Sequence, residues 1–372
     1  MHAPATMRHC NNLIQAAFLV ALALTVAAQQ ASSQSPPTPA TKQAAGSPPA
    51  ASQAPPLTVD RDPVRSPDGE PAQAGQMSKQ GQGYVLHTNV EEVVLNCTVL
   101  EGNRLVQDLK QENFEVDEDG VKQTLLSFQH TDLPVSIALV VDNSGSMSKK
   151  RPSVNKSALD LIQASNPQDE AFVVNFSDEA FIDQDFTSDV NKLRDGLGHI
   201  ESRGGTALYD AVAASADHLV EDAKRPKQVL VLITDGEDNA SSLDLEQTIE
   251  RVQQLSGPVI YTIGLLFGDE MSRAEVRHAR RALEMLSTET GGMAFFPKSI
   301  ENIDQIAAEV ARDIRNQYTL GYHSTKPTTE PGFRHVSVTA KAKGMGTLNV
   351  RTRTGYFPVA RVAKHTAQPE QR

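Results

Sequence analysis

Carboxylate and hydroxyl side chains follow an apolar run in the segment DNSGS, residues 142–146. The run Ile137 to Val141 predicts a buried strand, and the turn after it places Asp142, Ser144 and Ser146 at alternate positions. Oxygen ligands spaced this way on a tight turn can converge on one point, as a hard cation requires. Taken alone the pattern is weak, because a Ser/Asp turn that caps the next helix has the same composition.

Two later segments add ligands of the same kind. Thr206 follows a pair of glycines, and Asp235 follows the apolar run Val229 to Ile233. In a doubly wound sheet the strands before Asp142 and Asp235 can be neighbours, so their loops meet at one edge. Two carboxylates and three hydroxyls suit Mg²⁺, which keeps several waters and leaves room for an outside ligand. The predicted metal ligands are Asp142, Ser144, Ser146, Thr206 and Asp235.

Strands alternate with helical patterns between residues 132 and 316, the span predicted as an α/β domain. The predicted strands are continuous apolar runs at 137–141, 171–176, 229–233, 259–263 and 293–296. Continuous runs are typical of parallel strands buried on both faces. Six helical stretches separate or follow them, and the last, Ile303 to Ile314, carries an apolar stripe at 3.6-residue spacing. The fold class is therefore α/β, with a doubly wound, mostly parallel, Rossmann-like sheet. Residues 181–186 predict an antiparallel edge strand.

Residues 84–131 and 317–358 are strand-like on either side of this domain. Neither segment has enough strands to close a core. We expect them to pair into one small β-sandwich-like domain, into which the α/β domain is inserted. The segment DEDG at 117–120 is interpreted as a hairpin turn rather than a calcium loop. Cys97, on a predicted strand, is expected to be a buried apolar residue rather than a reactive thiol.

The N-terminal 28 residues predict a signal peptide. Arg8 precedes the uncharged stretch Ala16 to Ala28, which is shorter than the roughly 20 residues of a membrane-spanning helix. Cleavage would leave Gln29 as the first residue. The alternative to cleavage is an uncleaved membrane anchor, and Met7 is an alternative start of translation. Cys10 precedes the apolar stretch, so a lipoprotein is not expected. The predicted location is secreted or periplasmic.

Residues 29–83 contain ten of the 21 prolines, among Ala, Ser, Gln and Gly. This composition has too few large apolar residues to offset the entropy of ordering, so a disordered linker is expected. Residues 359–372 are expected to form a disordered tail.

Overall charge and known catalytic motifs narrow the function. The chain has 35 basic and 46 acidic residues, a net charge of −11, which argues against nucleic-acid binding. Ser146 and Lys149 fit S-x-x-K, but no K-T-G follows, and neither H-E-x-x-H nor G-x-S-x-G occurs. We therefore expect no catalytic residues and no enzyme activity.

The segments DNSGS, GGTALYD and ITDGED, in this order, resemble the metal-ion-dependent adhesion site (MIDAS) of von Willebrand factor type A (VWFA) domains. The resemblance implies Mg²⁺, with Mn²⁺ or Ca²⁺ as alternatives, held by the hydroxyls of Ser144, Ser146 and Thr206. Asp142 and Asp235 would often act through water, and a partner's Glu or Asp would complete the shell. The flanks QDLKQENFEVDEDGVKQTLLSF, NQYTLGYH and RTRTGYFP are similar to the VWFA-related family of acidobacterial secreted proteins. That likeness spans residues 84–358 and implies no particular function.

The predicted function is thus a secreted or periplasmic, metal-dependent, adhesion-type module that binds a carboxylate of a protein or peptide partner. The alternative is an envelope structural or assembly scaffold whose β domain, not the metal site, chooses the partner. In members of the resembled family such as integrin-like domains, the last helix shifts when ligand binds. A similar shift of Ile303 to Ile314 would move the β segment that follows it.

Overall fold

A computed structural model describes residues 58–59, 79–80, 83–84 and 92–358, apart from 165, 199–201, 256 and 269–270. The predicted signal peptide, most of the predicted linker and the predicted tail lie outside the described residues. The described residues belong to one compact unit. Within the described part of the chain, no helix is both long enough and apolar enough to cross a membrane.

The strands are β1 Thr58–Val59, β2 Lys79–Gln80, β3 Gly83–Tyr84, β4 Glu92–Glu101, β5 Arg104–Leu105, β6 Phe114–Glu118, β7 Val121–Gln123, β8 Leu125–Gln129, β9 Val135–Asp142, β10 Glu170–Phe176, β11 Ala180–Thr187, β12 Lys227–Thr234, β13 Val259–Gly264, β14 Ala294–Phe295, β15 Tyr318–His323, β16 Arg334–Ala340, β17 Leu348–Arg351 and β18 Gly355–Tyr356. The helices are α1 Arg151–Gln163, α2 Val190–Gly198, α3 Leu208–Asp222, α4 Leu245–Gln254, α5 Arg273–Thr290 and α6 Ile303–Arg315.

A seven-stranded sheet in the order β1-β11-β10-β9-β12-β13-β14 forms the α/β region. Strands β10, β9, β12, β13 and β14 are parallel to their neighbours in this row, and β11 is antiparallel to β10. This arrangement confirms the predicted α/β fold class with a mostly parallel sheet. β11 is not the edge strand that the sequence predicts, because β1, from the predicted linker, pairs with it in parallel.

Both faces of this sheet are covered, which explains the continuous apolar runs. All eight residues of β9 are buried. Ile137 and Leu139 pack with α1, α2 and α6 on one face, and Ala138 and Val140 pack with α3, α4 and α5 on the other. The six helices lie where the periodicity predicts them. One of them, α5, which the sequence pattern predicts over Arg273 to Leu286, continues four residues further and ends where Gly291, at φ +87°, caps it.

Two further sheets combine strands from both sides of the α/β region. One has the order β17-β4-β15-β8, with β5 paired to β4, and the other has the order β18-β16-β6-β7. A single apolar cluster contains Leu95 and Leu320 from the first sheet and Val116 and Val338 from the second. The flanking segments therefore share one core. The division of the chain into domains, with the α/β region inserted in a sandwich-like domain, stays a prediction.

Two smaller predictions about the flanking segments are confirmed. β6 and β7 form a hairpin, and its turn residues Asp119 and Gly120 have positive φ angles of 48° and 77°, as a tight two-residue turn requires. Cys97 is fully buried, and burial raises the pKa of its thiol to about 12. This thiol is a core residue and not a nucleophile.

Candidate metal-binding site

The predicted ligands lie at the carboxyl edge of the seven-stranded sheet. β9 and β12 pair in parallel with Val141 opposite Ile233. Asp142 ends β9, and Asp235 directly follows the end of β12. Both residues are buried, with exposed fractions of 0% and 4%. The parallel register therefore places the two carboxylates side by side at the ends of neighbouring strands, as expected for a doubly wound sheet.

The turn after β9 is organised by Asp142. Its Oδ1 accepts a hydrogen bond of 2.8 Å from the backbone N–H of Ser144. A single 3₁₀ turn, Gly145–Met147, follows, and the buried side chain of Met147 anchors it in the core. The hydroxyl oxygens of Ser144 and Ser146 then lie 3.1 Å apart. Their alternate spacing does bring the two hydroxyls to one point.

Asp235 closes this cluster from the other strand. The hydroxyl of Ser146 donates to Asp235 Oδ1 at 2.8 Å. Four of the five predicted ligands are thus connected through hydrogen bonds: Asp142 to Ser144, Ser144 to Ser146, and Ser146 to Asp235.

Thr206 lies on the adjacent loop, before α3. Its backbone N–H donates to Asn239 Oδ1 at 2.9 Å, and its carbonyl accepts from the Asn239 N–H at 3.0 Å. A Cβ atom placed on Gly236, the residue after Asp235, would lie 3.5 Å from Thr206 Oγ1. The Thr206 hydroxyl therefore faces the loop that carries Asp235.

The two glycines before Thr206 allow this close approach. Gly204 has φ +80°, a conformation that side-chain-bearing residues rarely adopt. A Cβ atom on Gly205 would lie 2.7 Å from Asn239 Oδ1 and 2.9 Å from Asp178 Oδ1. The Gly205 N–H donates to that Asp178 oxygen at 2.7 Å. Any other residue at this position would force the side chains of Asn239 and Asp178 to shift.

Two residues of the site were not predicted from the sequence. Thr234, the last residue of β12, is fully buried, and its hydroxyl donates to Asp142 Oδ2 at 2.6 Å. Lys150 lies with its Nζ 2.6 Å from Asp235 Oδ2. Thr234 is hidden in a strand pattern. Lys150 adjoins the Lys149 of the S-x-x-K match, and nothing in the spacing distinguishes the two lysines.

Burial sets the electrostatics of the site. Burial raises the pKa of Asp142 above its ordinary value; hydrogen bonds from Ser144 and Thr234 oppose this rise, and the charge of Asp235 adds to it. The Asp235 charge thus disfavours the charged form of Asp142, and a cation between the two carboxylates would offset that cost.

The donor set fits a hard divalent cation. The five side chains offer only oxygen atoms, two carboxylates and three hydroxyls, which suit Mg²⁺. A cation, the Lys150 ammonium, already contacts Asp235 in this structure. Among the described residues no group of three His, Cys, Asp or Glu side chains could hold a metal. Soft or histidine-based coordination of the zinc type is therefore not found there.

A cleft of about 320 Å³ opens beside the cluster. Its lining includes Ser146, Thr206 and Asp235 on one side and the apolar residues Leu266 and Phe267 of the β13–α5 loop on the other. An outside group that reaches the cluster would pass through this cleft.

Comparisons with known proteins identify this region. The family model of the von Willebrand factor type A domain matches residues 137–237, a span that contains all five predicted ligands. Human inter-alpha-trypsin inhibitor heavy chain H4 is 25% identical over 222 residues, covering 55% of this chain and 23% of the relative. Mouse calcium-activated chloride channel regulator 3A-1 is 31% identical over 169 residues, covering 43% and 17%.

A solved structure, von Willebrand factor type A from Catenulispora acidiphila, is 13% identical with a TM-score of 0.42, covering 72% of this chain and 75% of that one. The chain spans less than a quarter of the length of the two curated relatives. The protein contains a von Willebrand factor type A domain.

Proposed function

We propose that this protein is an exported binding module whose MIDAS holds Mg²⁺, or Mn²⁺ or Ca²⁺, and takes a carboxylate from a protein partner. The hydrogen-bonded cluster of Asp142, Ser144, Ser146 and Asp235 supports this proposal most directly. It brings two carboxylates and two hydroxyls together at the carboxyl edge of the sheet. Thr206 supplies the third hydroxyl from the next loop.

The side-chain oxygens of the five predicted ligands would hold the metal. Ser144, Ser146 and Thr206 would bind through hydroxyl oxygens, with Asp142 and Asp235 supplying negative charge directly or through water. When bound, the metal supplies a positively charged coordination position that a Glu or Asp of a partner can occupy. The cleft lined by Ser146, Thr206 and Asp235 gives such a side chain access. Binding requires no turnover, so we propose no enzyme activity.

Replacing Asp142 by Ala tests the proposal. We expect the variant to lose saturable binding of Mg²⁺ by calorimetry and of Mn²⁺ by electron paramagnetic resonance. Asp108→Ala, an exposed aspartate in a flanking segment, is the matched control and should bind like the wild type. Saturable binding retained by Asp142→Ala would overturn the assignment of the ligands.

A pull-down from envelope extract would identify the partner. It uses the wild type and the same two variants, each with and without chelator. Capture by the wild type and by Asp108→Ala, abolished by chelator and absent in Asp142→Ala, supports the proposed function. Capture that is unchanged by chelator and by Asp142→Ala supports the second candidate, a structural or assembly scaffold.

One observation favours that scaffold. Among the described residues, three of the four large hydrophobic side chains that are exposed belong to the flanking β segments: Val94, Val121 and Leu126, at 45%, 49% and 55%. Exposed apolar side chains mark protein contacts where they form a contiguous patch, and these three lie on β4, β7 and β8. In this candidate the two flanking sheets would choose the partner.

A further inference from the structure

A divalent cation bound at the site would compete with Lys150 for Asp235. The Lys150 Nζ lies 2.6 Å from Asp235 Oδ2, and the pair is largely shielded, with exposed side-chain fractions of 15% for Lys150 and 0% for Asp235. The other oxygen of that carboxylate accepts from Ser146. Asp235 thus contacts both the hydroxyl of Ser146, another predicted ligand, and the ammonium of Lys150.

The backbone around Lys150 fixes it at this point. Its N–H donates to the Met147 carbonyl at 2.8 Å, and its own carbonyl accepts from Ser153 at 3.1 Å at the start of α1. The ammonium also lies 5.8 Å from the ring centre of Phe267, across the cleft. Since the residue is anchored, only its side chain can move away from Asp235.

A second basic residue, Arg151, lies close to Asp142 and contacts its backbone, not its carboxylate. Arg151 is buried, and its Nη1 donates to the backbone carbonyl of Asp142 at 3.4 Å. Its Nη2 donates to Asn175 Oδ1 at 2.7 Å. Two basic side chains therefore accompany Asp142 and Asp235 before any metal is added, so a divalent ion next to Lys150 would meet a like charge at short range.

From these contacts we infer that Lys150 is a built-in competitor of the metal at Asp235. The inference rests on the proposed function. Metal binding displaces the ammonium from Asp235 into the cleft, and the cost of this displacement lowers the affinity for the metal. The released ammonium stays in the cleft, where it adds positive charge for an acidic partner. Lys150 thereby positions Asp235 and limits how tightly the site holds a metal without a ligand.

Removing the charge should tighten metal binding. We expect Lys150→Met to lower the dissociation constant for Mg²⁺, measured by calorimetry without any partner, by about tenfold or more, because a unit charge a few ångströms away is removed. Lys150→Arg keeps the cation and should stay within about twofold of the wild type. Lys149→Met makes the same change at an exposed neighbour and should also match the wild type.

If Lys150→Met does not fold, the role of Lys150 can still be tested by NMR on the wild-type sequence. Lysines labelled by reductive ¹³C-methylation keep their charge, and Lys150→Arg identifies the resonance of Lys150 by its loss. We expect Mg²⁺ to shift that resonance in parallel with site occupancy and to leave the Lys149 resonance in place.

The outcomes separate the two proposals. Saturable Mg²⁺ binding with equal affinity in wild type and Lys150→Met, or with an unmoved Lys150 resonance, overturns the role of Lys150 and leaves the metal site standing. Absence of saturable binding in the wild type and in every variant overturns the proposed function, and the role of Lys150 with it. Tighter binding in Lys150→Met alone, with the resonance shift, supports the competitor role.

Discussion

At the scale of single residues, the orientation of Asp142 depends on a hydroxyl outside the predicted ligand set. Thr234 donates to Asp142 Oδ2 and also accepts a hydrogen bond of 3.2 Å from the Gly236 N–H. It therefore links the carboxylate at the end of β9 to the loop that follows β12. A buried hydroxyl that both donates and accepts in this way contributes to both stability and geometry.

Replacing Thr234 by Val removes the hydroxyl with little change of shape. We expect the free energy of unfolding to fall by about 1–3 kcal/mol, because Asp142 Oδ2 and the Gly236 N–H lose a buried partner. The affinity for Mg²⁺ should fall as well. Thr262→Val removes another buried hydroxyl, on β13, and serves as the control. Equal metal affinity in the two variants would contradict the orienting role of Thr234.

At the scale of elements, the end of α6 is tied to both the α/β sheet and the flanking strands. Asp313 Oδ2 accepts from the Tyr261 hydroxyl at 2.6 Å and from Arg351 Nη2 at 2.5 Å. Tyr261 lies on β13, and Arg351 ends β17. The proposed shift of α6 on ligand binding would act through these contacts, and distances between the α/β region and the flanking sheets with and without Mg²⁺ test it.

Breaking this contact should be costly. We expect Asp313→Ala to lower the free energy of unfolding by about 3 kcal/mol, because it leaves the largely buried Arg351 without its carboxylate. Adding Arg351→Met should recover part of the loss, and a double-mutant cycle from chemical denaturation measures the coupling. Glu284→Ala, which breaks the exposed Arg280–Glu284 pair at 3.8 Å, should cost under about 1 kcal/mol. Additive effects at Asp313 and Arg351 would contradict the coupling.

Lys227 makes the same region sensitive to alkaline pH. Burial lowers the pKa of Lys227 from 10.5 to about 8, and carboxylates at Asp132, Asp313 and Asp169 partly oppose this. Its Nζ donates to the Ile314 carbonyl at 2.6 Å, at the end of α6. Between pH 8 and 10.5 the unfolded chain binds more protons than the folded chain, so the contribution of Lys227 to stability rises with pH in that window.

A comparison of wild type with Lys227→Met isolates this contribution. We expect the difference between their free energies of unfolding to change by about 3 kcal/mol in favour of the wild type from pH 7 to pH 10.5. Urea unfolding at several pH values measures it. A difference that stays constant with pH would show that Lys227 is charged in the folded protein throughout.

Local patterns of sequence predict the elements well and their mutual contacts poorly. The apolar stripe of α6 and the runs of β9 and β12 are visible because each lies within one short segment. Asp142, Ser144 and Ser146 share one turn, and parallel strand order brings Asp235 to them. By contrast, Asp313 and Arg351 lie 38 residues apart, and the Lys150–Asp235 pair spans 85 residues. No periodic pattern in the sequence reveals such pairs, because only tertiary packing brings the two residues together.

At the scale of the whole molecule, the central strands of both flanking sheets depend on residues from the other end of the chain. β4 lies between β15 and β17, and β6 lies between β16 and β7. The strands β15, β16 and β17 all follow α6. The segment from 92 to 129 therefore lacks most of its partners until the residues after α6 are in place.

Truncation after Gln317 tests this dependence. We expect the truncated chain to lose protection of residues 92–129 against limited proteolysis, because β4 then has only β5 beside it and Leu95 loses the cover of Leu320. The α/β sheet keeps all its own strands in this truncation and serves as the internal control. Equal protection of residues 92–129 in both chains would contradict the shared core.

The pairing of β4 with β15 also governs the order in which the chain can fold as it is made. Tyr318 donates from its hydroxyl to the Val106 carbonyl, 212 residues earlier in the sequence. The parallel strands between them are complete once α6 has emerged from the ribosome. The apolar side chains of β4 and β6, however, must wait for the last strands. A chaperone that shields this early segment during synthesis would therefore act before the two flanking sheets can form.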